Sequence, residues 1–271
     1  MQFLTRFVFE GADPLLILAL FAVVIFAVSL LGAYLPLMVK AGPRLMHLMV
    51  AFSAGIFLGI LFFMLMPEAF KETENSMDAV TWILIGFLIV LFINVALKQL
   101  HIGSCPCEEC NDDEHTHGLT SISAFAGLAI HAAIDGMILA IGISEGDEMG
   151  MMALLAIAIH KFVEVFSLSS TFMLTDYTKK KVMIYMLAFC LITPIAAFVS
   201  MPIVEIVHEM EVFVPLAIAT GTFMYVTIYH LLPEAFHKQK DTLASSFLVL
   251  AGITLIAAIV LLLSIGGGHP H

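Results

Sequence analysis

Eight apolar runs, each about 20 residues or longer, divide the 271-residue chain. Such runs leave few folds open, because in hydrocarbon every backbone N–H and C=O must find its partner inside the protein. The runs cover residues 15–38, 46–66, 79–98, 120–143, 150–173, 182–204, 213–233 and 244–265. With 61% hydrophobic residues, 12% charged residues and a mean hydropathy of +1.05, the chain reads as an all-α integral membrane protein with eight transmembrane helices. The first run is too long for a signal-peptide core and lacks a small-residue cleavage site, so it is expected to stay in the mature chain.

Basic residues predict the orientation. Lys40, Arg44, Lys98, Lys179, Lys180, Lys181, Lys238 and Lys240 fall on one side of the eight-span topology, and only Arg6 and Lys71 fall on the other. The positive-inside rule then puts the richer side in the cytoplasm and both termini outside a cell membrane. The eleventh basic residue, Lys161, lies in mid-helix. Acidic residues, among them Glu68, Glu72, Glu145 and Glu209, gather on the outer loops, where the net charge of −11 either concentrates cations or merely solvates the loops. No nucleic-acid footprint is present.

Internal similarity organises the chain. AFSAGIFLGILFFMLMPEAF (51–70) and AIATGTFMYVTIYHLLPEAF (217–236) align without gaps and share a closing Pro-Glu-Ala-Phe. Five helices apart, the two segments cross the membrane in opposite senses, the pattern of inverted repeats in secondary transporters. The expected arrangement is 3+2+3: a three-helix repeat in 1–98, a cytoplasmic Cys/His-rich loop in 99–119, a central helix pair in 120–173 and a second three-helix repeat in 174–271. In the loop, Cys105, Cys107, Cys110, His115 and His117, beside His101, are either a weak metal or sensing site or a linker that tolerates them. Gly55 and Gly59 form a G-x-x-x-G read as helix packing, and Pro194 is read as a kink in the sixth helix.

The chemistry concentrates in the central pair. His131 and Asp135 stand four residues apart, as do His160 and Glu164, so each helix presents one imidazole and one carboxylate on one face. Carboxylates at bilayer depth need compensation, and a dication enclosed by the four side chains supplies it. Imidazole and carboxylate suit borderline divalent metals, with Zn²⁺ first and Fe²⁺, Mn²⁺, Cd²⁺ and Co²⁺ behind it. Lys161 lies too deep to snorkel, needs Asp135 or Glu164 as partner, and is expected to occupy the place of a second cation. His230, Glu234 and His237 form either an exit station or an amphipathic helix end at the headgroups, and Met64 with Glu68 forms a candidate entrance.

On these residues the chain resembles the ZIP family of zinc and iron permeases across essentially all eight helices. The family's fourth helix reads His-Asn/Ser-x-x-Asp/Glu-Gly, and here the segment is His131-Ala132-Ala133-Ile134-Asp135-Gly136; its fifth-helix pattern fits His160, Lys161 and Glu164, and LLPEA fits the seventh. The resemblance implies transport of divalent metal into the cytoplasm by elevator-like or rocking alternating access, a homodimer, and a His-rich loop between helices three and four. Ala132 stands where some members place an Asn ligand, and Lys161 where binuclear members place a second-metal ligand, so one metal per site is expected. Ile134 and Val163 stand where family motifs often carry the proline that kinks the helix.

Two other functions compete with transport, an intramembrane zinc-dependent hydrolase and a non-transporting metal sensor. Neither a three-histidine set nor H-E-x-x-H occurs, which argues against the hydrolase. No phosphate-binding loop is present, so a gradient must drive transport, and no resident cofactor is expected. The expected partners are divalent metal ions, the lipid bilayer and a second copy of the chain.

Overall fold

The structure is a computed structural model that describes residues 13–39, 42–100, 112–175, 177–206, 212–236 and 242–266. Among these, eight helices are long and apolar enough to cross a membrane. Helix α1 is Pro14–Met38, opened by Asp13, whose carboxylate accepts from the Leu15 N–H at 2.9 Å. Helix α2 runs Pro43–Ile60, passes through a π-helical turn at Leu61–Leu65 and closes with Met66–Lys71. Helix α3 is Ser76–Gln99, capped by Asn75. The central helices are α4, Asp112–Ser144, and α5, Asp147–Phe172. Helix α6 is Lys179–Ile206; α7 runs Phe213–Tyr225, a π-helical turn Val226–Leu231 and Leu232–Ala235; α8 is Thr242–Gly266.

The helical core spans agree with the apolar runs, and the differences lie at their ends. Helix α4 begins at Asp112, so the end of the expected 99–119 loop, including the backbone at His115 and His117, is helical. Polar residues there hide the helix from a reading based on hydropathy. Cys105, Cys107, Cys110 and His101 lie outside the described residues.

Helix α2 packs on α8, and α3 packs on α7, through closely matched contacts. A Cβ on Gly55 would overlap the Val249 backbone, and one on Gly252 would meet Phe52 and Ile56; in the other pair, a Cβ on Gly221 would overlap the Ile83 carbonyl, and one on Gly86 the Ile218 carbonyl. Glycine is what lets these backbones touch, the usual device where lipid gives helices no hydrophobic reason to associate. In the alignment of 51–70 with 217–236, Gly55 faces Gly221 and Phe52 faces Ile218. Both π turns precede the shared proline, at Pro67 and Pro233. A proline lacks the N–H for the i−4 carbonyl and crowds it, so the ladder shifts by one residue at the same point in each helix.

Helices α4 and α5 pack against each other at the centre; α1 also covers α5, and α6 covers α4. The Thr193 hydroxyl donates to the Ala132 carbonyl at 2.9 Å, and Gly136 lets the α6 backbone approach beside Pro194. Large side chains such as Phe92, Leu243 and Phe247 are exposed around the outside, as a lipid-facing surface requires.

Candidate metal site

Five ionisable side chains are buried together where α4 and α5 cross: His131, Asp135, His160, Lys161 and Glu164. The i, i+4 spacing on each helix turns its pair inward, and the rings of His131 and His160 meet edge to face with centroids 5.7 Å apart. Each imidazole is oriented by a main-chain carbonyl. His131 Nδ1 lies 3.0 Å from the Ala219 carbonyl on α7, with the Thr222 hydroxyl at 3.4 Å; His160 Nδ1 lies 2.8 Å from the Ala156 carbonyl one turn back. A carbonyl can only accept, so Nδ1 of each ring carries a proton, and in neutral His131 this leaves the Nε2 lone pair free for a ligand.

Both Nε2 atoms face one carboxylate. His131 Nε2 is 3.6 Å from Asp135 Oδ1, and His160 Nε2 is 3.3 Å from Asp135 Oδ2. Ligand atoms of the three residues all lie within 4.8 Å of one another. In a tetrahedral zinc site the edges between ligands are about 3.3 Å, so the trio needs only small adjustments to hold a dication. His131 Nε2 has no hydrogen-bond partner, although it is fully buried. A buried imidazole lone pair left open in this way fits a ligand role better than a structural one.

Glu164 is held differently from the other three expected ligands. Lys161 Nζ sits 2.8 Å from Asp135 Oδ2 and bonds Glu164 Oε2, bridging the two carboxylates, with the Phe189 ring 5.7 Å away. Thus Lys161 meets both of its expected partners, and Glu164 keeps Oε1 without a hydrogen bond. Two carboxylates and one ammonium in this cluster leave one net negative charge for a cation to offset.

A cavity of about 620 Å³ leads to the cluster from the end of the bundle that holds the α2–α3 and α4–α5 turns. Its mouth carries Glu68, Lys71 and Glu72, its wall Met64, Met149 and Met152, and its floor Asp135 and His160. Met64 and Glu68 thus both line this cavity, with Glu68 ion-paired to Lys71 at 2.9 Å. The two additional methionines fall at the start of α5 in GDEMGMM, where their sulfur chemistry was legible but their direction was not.

Towards the opposite end of the bundle, His230 and Glu234 are buried, and His237 lies outside the described residues. The His230 ring packs against Tyr225 and Tyr229, and its Nε2 has no hydrogen-bond partner. Glu234 Oε1 lies 3.6 Å from Nδ1 of His47, a buried residue at the start of α2. Sequence reading passed over His47; the available signal was a lone imidazole in PRLMHLMVAF at the same membrane level as the end of α7.

The fold and this cluster define a multi-pass helical membrane protein whose cavity ends on buried imidazole and carboxylate groups. A family model described as ZIP zinc transporter matches residues 14–124 and 103–260. The chain belongs to the ZIP family. It is similar to zinc transporter ZIP1 of Danio rerio, 26% identical over 154 residues that cover 55% of this chain and 50% of that protein. It is also similar to zinc transporter ZIP9-B of Xenopus laevis, at 28% over 204 residues covering 70% of this chain and 65% of that one. With zinc transporter ZIP1 of Homo sapiens it shares 22% over 289 residues, 88% of each chain. The chain thus spans about half the length of the zebrafish relative and 65% of the frog one.

Proposed function

We propose that the chain carries divalent metal ions, Zn²⁺ foremost, across a cell membrane into the cytoplasm, driven by a gradient, with both termini outside. The observation that carries this reading is the convergence of two carbonyl-oriented imidazoles on Asp135 at the floor of a cavity. His131, Asp135 and His160 bind the ion. Glu164 serves as the fourth ligand or hands the ion on, and Lys161 stands in for a second cation. Glu68, with Met64, Met149 and Met152, receives the ion at the mouth, where carboxylate attracts it and thioether binds it weakly enough to release. His230, Glu234, His237 and His47 receive it at the other end.

The matched glycine contacts and the paired π turns support a 3+2+3 plan of inverted repeats, in which exchange of conformation between halves opens the opposite end as it shuts the cavity. A homodimer remains the expected assembly. Transport is favoured over hydrolysis because both carboxylates of the cluster, Asp135 and Glu164, are engaged by Lys161.

The test is zinc-65 uptake into proteoliposomes holding the purified protein, compared with the double variant His131→Ala, Glu164→Ala. Saturable uptake by the parent, reduced at least about a hundredfold in the variant and competed by Cd²⁺, is the expected result. Equal flux in both would overturn the site.

A further inference from the structure

We propose that Ser167 is a further metal-binding residue of this chain, its hydroxyl forming with Glu164 Oε1 an all-oxygen station that takes the ion from the His131–Asp135–His160 trio on its way to the other side. The inference rests on the transport reading above and extends it to a residue outside the imidazole and carboxylate set.

Four hydroxyl side chains are buried in the last turns of α5: Ser167, Ser169, Ser170 and Thr171. Three of them are committed. Ser169 donates to the Ala33 carbonyl on α1 at 2.9 Å, Ser170 to the Phe166 carbonyl at 2.8 Å and Thr171 to the Ser167 carbonyl at 2.9 Å. Bonding back to a carbonyl one turn earlier is what such a residue ordinarily does in mid-helix. The Ser167 hydroxyl does not; it is fully buried and has no hydrogen-bond partner. One turn earlier on the same helix, Glu164 Oε1 is also buried without a partner, because Lys161 holds only Oε2. Residues i and i+3 are neighbours on a helix face, with Cβ atoms about 5–6 Å apart. A carboxylate and a hydroxyl so placed would normally bond each other or another group, since an unpartnered buried oxygen is costly. Held apart, the two can instead close on one divalent ion, whose bonds to carboxylate oxygen are about 2.0–2.2 Å.

Position on the helix strengthens the assignment. Met149, Ala153, Ala156 and His160 of α5 line the cavity at helical spacing, and Ser167 continues the same face two turns after His160. Met149 and Ser167 are about five full turns apart, so their side chains leave the helix in the same direction. The mouth lies at the Met149 end, which places Ser167 about 10 Å beyond the floor of the cavity, with Glu164 between. An ion leaving the trio along this face meets the free oxygen of Glu164 and then that of Ser167. The donors change on the way: the trio offers two imidazole nitrogens and a carboxylate, the station oxygen alone. Oxygen suits Mn²⁺ and Zn²⁺ better than the softer Cd²⁺, so Ser167 bears on which ions complete the passage.

Ser167→Cys tests the station directly, in a chain whose four native cysteines are replaced by serine, because a thiolate that binds Cd²⁺ reports it by a ligand-to-metal absorption band in the ultraviolet. Titrated with Cd²⁺, the purified variant should develop that band and hold the ion at least about tenfold more tightly than the cysteine-free parent. Ser169→Cys in the same background, at a side chain that faces α1, should give no band. In proteoliposomes, Ser167→Ala should lower the maximal rate of zinc-65 uptake at least about fivefold while KM stays close to that of the parent, and Ser167→Thr should restore most of the rate. Cd²⁺ bound to the Ser167→Cys protein without the band, an equal band from Ser169→Cys, or parent uptake by Ser167→Ala would each overturn the assignment. The transport reading fails separately, if His131→Ala retains saturable uptake with Ser167 intact.

Discussion

Lys161 is the residue that sets the character of the centre. An unpaired ammonium at this depth is costly, and here two carboxylates bracket it, so neither Asp135 nor Glu164 stands as a free buried anion. Lys161→Asn removes that brace and leaves both carboxylates facing each other. The variant is expected to lose about 3 to 5 kcal/mol of stability without metal and to recover much of it when Zn²⁺ binds, with a second ion per chain. Thermal unfolding with and without zinc, beside calorimetric stoichiometry, checks this; one ion and an unchanged zinc-induced shift in Tm would contradict it. The four expected ligands and Lys161 were legible because i, i+4 spacing on a helix is local information. The contact of His47 with Glu234, the carbonyls of Ala219 and Ala156, and the division of Glu164 from the other three candidate ligands depend on how helices meet, which spacing within one helix does not encode.

At the scale of the helices, span positions follow from hydropathy, while the devices that join them do not. Run lengths marked eight helices, yet nothing in hydropathy distinguishes the π turns at Leu61–Leu65 and Val226–Leu231 from regular α-helix; only the prolines that follow hint at them. The G-x-x-x-G at Gly55 and Gly59 did point to close packing, and both glycines face α8. The counterpart at Gly221 carries no such pattern and became visible only through its contact with Ile83 on α3. Gly221→Ala places a Cβ into that backbone, which cannot retreat as a flexible side chain would. It should cost about 1 to 3 kcal/mol and part α3 from α7, with Gly55→Ala doing the same to α2 and α8. Detergent-solubilised thermal stability reads the cost, and wild-type Tm in either variant would show that the helices simply slide.

For the molecule as a whole, charge is distributed with a purpose that single residues do not reveal. Acidic groups crowd the cavity mouth, a lipid-facing apolar surface surrounds the bundle, and the only described charges at its centre are those of the α4–α5 cluster. The ammonium tethered there makes the centre an electrical device as well as a chemical one. Empty, with neutral imidazoles, it holds one net negative charge; loaded with a dication, it holds one net positive charge. In the proposed transport cycle, a potential that is negative inside would draw the loaded form inward and return the empty form outward, acting on both halves of the cycle at about 2.3 kcal/mol per charge per 100 mV for a full crossing of the field. Uptake should accelerate under an inside-negative potassium diffusion potential set by valinomycin, and flux indifferent to that voltage would contradict it. A centre without the lysine that held a single dication would carry two negative charges when empty and none when loaded, so that voltage would assist only the return of the carrier and leave the movement of its cargo unassisted.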